Sequence, residues 1–266
     1  MSDPGVITLL SDFGLRDAFV GIMKGVILGI NPQARIVDLT HDVPPQDVRA
    51  GAWLLRSAVP FFPDATVHVA VVDPGVGSAR RAILVETERG YLIGPDNGVL
   101  SLAAAVLGRR AVRLIENPDL FRHPVSQTFH GRDIFAPVAA HLSSGVSPQR
   151  VGPEVGDLIE LHVPAPHRMA NGVGGEVVYV DRFGNLITNI DGGSVNFPDR
   201  RVSVSIANRP VVGPVSAYAA VPEGTALAII GSWGVLEIAV HNGNAAATFA
   251  AGPGAPVTVV VESRDA

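Results

Sequence analysis

Val6 to Leu10 form an unbroken β-branched and apolar run, followed at once by the turn Ser11-Asp12-Phe13-Gly14 and by apolar residues at Phe19, Ile22, Met23, Val26, Ile27 and Ile30. A strand with no polar alternation needs cover on both faces, and the i, i+3, i+4, i+7 spacing that follows describes a helix with one apolar side to provide it. The unit recurs: a strand from Arg35 to Leu39, the turn Val43-Pro44-Pro45, a helix from Gln46 to Ala58 stopped by Pro60, and a strand from Thr66 to Val72. Strand, helix, strand, helix predicts a mainly parallel sheet with right-handed crossovers. Further strands are expected at Ala82 to Val85 and Ala111 to Leu114, and helices at Val99 to Leu107 and Ile134 to Leu142.

The pattern changes near Leu161, where two prolines and then Asn171-Gly172-Val173-Gly174-Gly175 interrupt regular structure. Beyond it come short strand candidates without helical spacing: Glu176 to Val180, Leu186 to Ile190, Val202 to Ile206, Ala226 to Ile230, Leu236 to Val240 and Val257 to Val261. The chain of 266 residues is therefore an α/β protein of two domains. A Rossmann-like, mainly parallel α/β domain is expected over 1–163, a linker over 164–174, and a smaller antiparallel β-barrel-like domain over 175–266.

With 20 Lys and Arg against 25 Asp and Glu, a formal charge of −5 and no basic run, the chain carries no electrostatic footprint for nucleic acid, and a small-molecule ligand is expected instead. Without cysteine there is no thiol nucleophile, disulfide, Cys-ligated zinc or iron–sulfur cluster. A short acidic lead, Met1 to Gly5, and the lack of any membrane-length apolar run predict a cytoplasmic protein with no membrane partner.

Chemistry in such folds gathers in turns at strand ends. Asp12 sits there, as a carboxylate for a ribose diol or as a helix N-cap; Asp17 reads as a dipole-favoured residue of a first helical turn. Asp73-Pro74-Gly75-Val76-Gly77 is a tight turn without the ending of a phosphate-binding loop, and Arg80 gains a role only if this loop folds it onto Asp73. His130, beside Gly131, Arg132 and Asp133 and ahead of Pro137, is the histidine best placed to accept a proton near neutral pH, against the reading of a satisfied structural residue. A metal held by Asp73, His130 and Asp133 lacks any supporting ligand spacing. Asp181-Arg182-Phe183-Gly184-Asn185 offers an acid, an aromatic face and an amide, suited to a flat ring and equally to ordinary hairpin chemistry. Alternation from Leu236 to Val240 gives a strand, and Asn242-Gly243 a turn.

These segments, with Gly94-Pro95-Asp96-Asn97-Gly98 and the Ser232 to Ala246 stretch, resemble in order and nearly end to end the S-adenosylmethionine hydroxide adenosyltransferase family, relatives of the fluorinase and chlorinase enzymes. The resemblance implies cleavage of S-adenosylmethionine by water or hydroxide at the ribose C5′, giving adenosine and L-methionine, with no metal and no cofactor. By the same resemblance Asp73, Arg80 and His130 hold and polarise the attacking water, and Asp12 binds the ribose diol. Phe183 and Asn185 contact adenine, Asp181 and Ser232 hold the methionine amino and carboxylate ends, and the backbone near Val240 and Asn242 meets the adenine edge. A homo-oligomer is implied, a trimer with sites between subunits. Trp233 departs from the fluorinase pattern, which has a basic residue there. Between His130 and Asp73 as acceptor of the water's proton, His130 is favoured.

Three rivals stand beside this reading: a halogenase, a protein that binds adenosine or S-adenosylmethionine without turnover, and a metal-dependent hydrolase. The retained Asp-Arg-His set and the short Glu88 to Tyr91 segment, which has no room for the fluorinase's extra loop, favour water as the nucleophile.

Overall fold

The computed structural model describes residues 5–195 and 202–261; the lead Met1 to Pro4 lies outside the described residues. The chain divides into two compact units at Leu161/His162. No helix among the described residues is long and apolar enough to cross a membrane.

In the first unit the strands are β1 (Val6–Ser11), β2 (Arg35–Thr40), β3 (Thr66–Val71), β4 (Ala82–Thr87), β5 (Gly90–Pro95), β6 (Arg109–Leu114) and β7 (Glu154–Val155), in the sheet order β2-β1-β3-β5-β4-β6-β7. The β2, β1, β3 and β5 strands pair in parallel, while β4 is antiparallel to β5 and β6, and β7 to β6, so five of the seven strands run one way. The helices are α1 (Phe19–Ile30), α2 (Val48–Ala58), α3 (Ser101–Val106) and α4 (Ala136–Ser143), the last preceded by a π-helical turn over Gly131–Phe135. The apolar stripe of α1 behaves as spaced: Met23 and Ile27 join Ile7, Leu9, Val69 and Phe135 in one buried core. Two strands escape a reading by pattern. β5 is bracketed by Gly90 and Gly94-Pro95, which read as turns, and β7 is only two residues long. Asp17 falls outside the first turn of α1, whose N-cap is Ala18; the acidic residue lies in the loop between β1 and the helix.

In the second unit β8 (His167–Met169), β9 (Gly172–Val180), β10 (Leu186–Asp191), β11 (Val202–Ile206), β12 (Arg209–Val215), β13 (Ala226–Ile230), β14 (Val235–Val240) and β15 (Pro256–Val261) form a sheet in the order β10-β14-β13-β12-β11-β15-β9-β8. The β9 strand also pairs with β10, closing seven strands into a barrel, with α5 (Ala245–Phe249) following β14. All its pairings are antiparallel except β12 with β13. Closure leaves no free edge in the ring, and alternate residues fill the interior: Leu186, Ile190, Leu236, Ile238, Val257 and Val259.

The expected linker over 164–174 is not irregular, since β8 and the start of β9 lie inside it. Its glycines mark close backbone approach rather than chain breaking: a Cβ at Gly172 would stand 1.9 Å from the Val259 carbonyl oxygen across the β9–β15 ladder.

Leu84 is fully buried on a central strand, whereas Val212 is 49% exposed. Leu84→Ala is expected to destabilise the amino-terminal unit by about 2–5 kcal/mol in denaturant unfolding. Val212→Ala should change the transition by less than about 0.5 kcal/mol.

Candidate active site

Parallel pairing puts the ends of β1 and β3 side by side, with Ser11 opposite Val71, so Asp12 and Asp73 leave the same edge of the sheet. Asp12 does not cap α1. Its Oδ2 accepts the backbone N–H of Gln46 at 2.8 Å, tying the β1 loop to the segment that enters α2. The loop is further fixed below, where Ser11 Oγ lies 2.7 Å from His41 Nδ1 and His41 Nε2 lies 3.0 Å from Asp38 Oδ1.

The turn after β3 folds back on itself, and Arg80 closes on Asp73: Nε lies 3.0 Å from both carboxylate oxygens and Nη2 is 2.5 Å from Oδ2. Both side chains are nearly buried. Nη2 also lies 2.7 Å from His130 Nδ1. A guanidinium nitrogen has no lone pair, so Nδ1 is the acceptor and the neutral ring carries its proton on Nε2. Burial, and then the Arg80 charge, hold the His130 pKa below the ordinary imidazole value, against the weaker pull of Asp73 and Asp133. Gly77 makes the meeting of the two loops possible. Its φ is +77°, and a Cβ there would sit 2.3 Å from the Gln127 carbonyl oxygen, three residues before His130. His130 immediately precedes the π-turn, whose Gly131 packs against Met23, Phe129 and Phe13.

The neighbouring acids are spent on structure. Fully buried Asp133 accepts from Arg132 Nε at 2.6 Å, Arg132 Nη2 at 2.8 Å and the Ser126 N–H at 2.9 Å. Asp96 accepts from Arg81 Nε and the Ile159 N–H, and Asn97 donates to the Val72 carbonyl at 2.8 Å, bracing the strand end that bears Asp73. Among the described residues no group of three or more His, Asp or Glu is arranged to hold a metal ion.

In the second unit Asp181, Phe183, Asn185, Ser232, Val240 and Asn242 all line one cavity of about 530 Å³, a size suited to a nucleoside-sized ligand. Asp181 organises the β9–β10 hairpin: Oδ1 accepts the N–H groups of Phe183 and Asn185 at 2.9 and 2.8 Å, and Oδ2 accepts from Asn185 Nδ2 at 2.9 Å. Phe183 is 74% exposed and presents a bare ring, while Asn185 is buried. Asn242 takes a positive φ of 54° in the turn after β14. Trp233 stacks on Tyr179 with ring centroids 5.6 Å apart and planes 21° apart, so the position that departs from the fluorinase pattern is built into an aromatic pair. Pattern reading missed Tyr218, Glu237 and His241, which line the same cavity. Tyr218 lay in an unassigned Pro- and Gly-rich stretch; Glu237 reads as the outward member of an alternating strand; His241 donates Nδ1–H to the Val221 carbonyl at 2.8 Å.

Family models described as the SAM hydroxide adenosyltransferase N-terminal and C-terminal domains match residues 7–152 and 175–258. The chain is 44% identical over 252 residues to the (R)-S-adenosyl-L-methionine hydrolase of Salinispora arenicola, covering 93% of this chain and 95% of the relative. It is 40% identical over 265 residues to the enzyme of that name from Thermus thermophilus, covering 96% and 99%. A fluorinase of Actinoplanes is more distant, 29% identical over 212 residues, or 70% of this chain and 71% of the relative. The crystal structure of an uncharacterized conserved protein from Thermotoga maritima superposes with a TM-score of 0.89 at 40% identity, covering 96% and 99% of the two chains.

An NMR titration of the His130 ring should give a pKa below the ordinary value of about 6.5. Arg80→Ala should move it upward, because the cation that opposes protonation is gone. For stability the sign follows: a depressed folded pKa leaves this contribution intact above about pH 6.5 and removes it as pH falls through the folded value.

Proposed function

Because the chain belongs to the SAM hydroxide adenosyltransferase family, we propose that it hydrolyses S-adenosyl-L-methionine at the ribose C5′ to adenosine and L-methionine. The observation that carries the reading is the Arg80 guanidinium shared between Asp73 and His130. An oxygen–C5′ bond forms as the C5′–sulfur bond breaks, its electron pair returning to sulfur, and one proton is released from the water. The leaving group is a neutral thioether, so no acid is needed to expel it. The demand is for an aligned nucleophile and exclusion of competing ones.

The geometry supports a division of labour in which Asp73 accepts the water's O–H and takes its proton. With Nδ1 engaged by Arg80, His130 retains Nε2–H as a donor that can hold the same oxygen through its second lone pair. This differs from the expectation that His130 takes the proton: that would require breaking its bond to Arg80. Asp12 is assigned to the ribose diol, Phe183, Asn185 and the backbone near Val240 and Asn242 to adenine, and Asp181 and Ser232 to the methionine end. The reading needs neither metal nor cofactor, since no redox change or poor leaving group is involved. A cytoplasmic location and a trimer in which neighbouring subunits complete each site belong to the same proposal; sedimentation equilibrium tests the assembly.

The deciding experiment incubates the chelator-treated protein with S-adenosylmethionine in chloride buffer and identifies products by mass spectrometry. Adenosine and methionine are expected, and Asp73→Asn should lower kcat by about 10²–10⁴-fold. 5′-Chloro-5′-deoxyadenosine would assign halogenation, intact substrate a binding role, and loss of activity on chelation a metal-dependent hydrolase.

A further inference from the structure

Ser11 closes β1 and His41 follows β2, and the parallel register that sets Leu10 opposite Thr40 brings the two residues together. They are 1% and 4% exposed, and both ring nitrogens of His41 are engaged: Nδ1 lies 2.7 Å from Ser11 Oγ, and Nε2 lies 3.0 Å from Asp38 Oδ1. Asp38 Oδ2 in turn accepts from Lys24 Nζ of α1 at 2.6 Å. Burial alone would raise the Asp38 pKa, but the hydrogen bonds from Lys24 and His41 outweigh it and hold the carboxyl below its ordinary value. An ionised carboxylate only accepts, so His41 donates Nε2–H to it, and Nδ1 of the neutral ring accepts the Ser11 hydroxyl proton. Ser11 Oγ keeps a lone pair for the Phe13 N–H at 3.3 Å, a turn closed across Asp12. Each donor in the series Lys24, His41, Ser11, Phe13 therefore has an acceptor, and each bond fixes the direction of the next.

The backbone converges on the same residue. Gly14 N–H donates to the His41 carbonyl at 2.8 Å, Val43 N–H to the Ser11 carbonyl at 3.4 Å, and Gln46, at a φ of +66°, donates its N–H to Asp12 Oδ2 at 2.8 Å. Left-handed backbone is unfavourable for glutamine, and here it accompanies an N–H turned onto the carboxylate. Ser11, His41 and Asp38 match the residue types of a hydrolytic triad, but Ser11 is buried with its hydroxyl committed to the ring, so the set holds a loop and does not attack a bond.

Resting on the hydrolase reading above, in which Asp12 takes the ribose diol, we propose that His41 is a positioning residue for Asp12: through Ser11 it fixes the turn that carries the carboxylate, and so sets the preference of the site for a ligand bearing both ribose hydroxyls. A purely structural role would act differently. Loss of folded protein scales every ligand together, whereas a misplaced carboxylate changes the ratio between ligands, since only the diol meets it. The product adenosine retains the diol, so the ratio can be read without turnover.

The test is calorimetric, on the full chain, comparing adenosine with 2′,3′-dideoxyadenosine, which lacks both ribose hydroxyls. The wild type should prefer adenosine by about tenfold or more, the range for hydrogen bonds to a charged group. His41→Phe keeps a ring and removes both nitrogens, and the preference should fall by about threefold to tenfold, the equivalent of one hydrogen bond. His41→Asn, whose amide oxygen can stand where Nδ1 does, should keep it within about twofold of the wild type. Ser11→Ala should repeat the fall, and supplies the readout if His41→Phe folds poorly. Where His41→Phe folds, the double variant should fall no further than the larger single effect, because both changes break one bond. A preference unchanged in His41→Phe and Ser11→Ala, or affinities for the two ligands lowered equally, would overturn the positioning role. A wild type that binds both ligands equally would overturn the assignment of Asp12 to the diol, and one that neither binds adenosine nor cleaves S-adenosylmethionine would overturn the hydrolase reading; the inference falls with either.

Discussion

One guanidinium joins two loops that are fifty residues apart in the chain. Arg80 takes both oxygens of Asp73 and reaches Nδ1 of His130 from the same nitrogen. Two charges this poorly exposed are expensive to bury, and the pairing offsets that cost only if the geometry is good. Here the fork of Arg80 meets the carboxylate side on, with the Phe135 ring 5.4 Å beneath the guanidinium carbon. Everything upstream serves that meeting: parallel pairing sets where Asp73 leaves the sheet, Asn97 braces the strand end, and Gly77 lets the first loop touch the backbone of the second. The consequence reaches the chemistry, because the donor from Arg80 selects the tautomer of His130.

The carboxylates divide by what they already hold. Asp133, Asp96 and Asp181 each accept from several donors within their own unit and thereby fix a loop. Asp12 accepts one backbone N–H, and Glu237 one hydroxyl. An acid engaged by several donors helps fix its loop, and one with a single partner keeps more lone pairs free, yet Asp73, which meets Arg80 through both oxygens, shows that neither residue type nor engagement alone decides the role. Asp181 shows that the hairpin reading and the ligand reading can fall on one residue, since it shapes the loop that presents Phe183 while lining the cavity.

The same distinction explains what was legible in the sequence. Val6 to Leu10 and the stripe of α1 were readable because burial there is continuous and periodic, and the change to short strands past residue 175 was readable because helical spacing stops. The β5 and β12 strands were not, because Gly90, Gly94-Pro95, Pro210 and Gly213-Pro214 carry the composition of turns while lying in ladders. Candidate site residues were found where unusual types cluster in a loop, as at Asp73 to Arg80 and Phe129 to Asp133. That the two clusters meet came from the family resemblance and not from pattern, because it depends on how two distant loops fold together. Glu237 was missed for a different reason. Alternation turns it away from the barrel interior, as it does in the structure, but that face of the wall is a cavity and not bulk solvent.

Charge accounting distinguishes the two clusters. Asp73 and Arg80 carry opposite charges in one ion pair, and His130 is held below its ordinary pKa, so this cluster is close to electrically balanced. Such a set can orient a nucleophile but offers little net attraction to a molecule bearing a sulfonium and an ammonium. In the barrel unit the balance differs: Glu237 and Asp181 line one cavity, and neither is paired with a cation among the described residues. On the proposed hydrolase reading, attraction and chemistry fall to different residues, and the Asp73–Arg80–His130 cluster stays neutral. A net negative cluster at the reacting carbon would hold the cationic substrate more tightly than a transition state whose sulfonium charge is dispersing, and so would raise the barrier it is meant to lower.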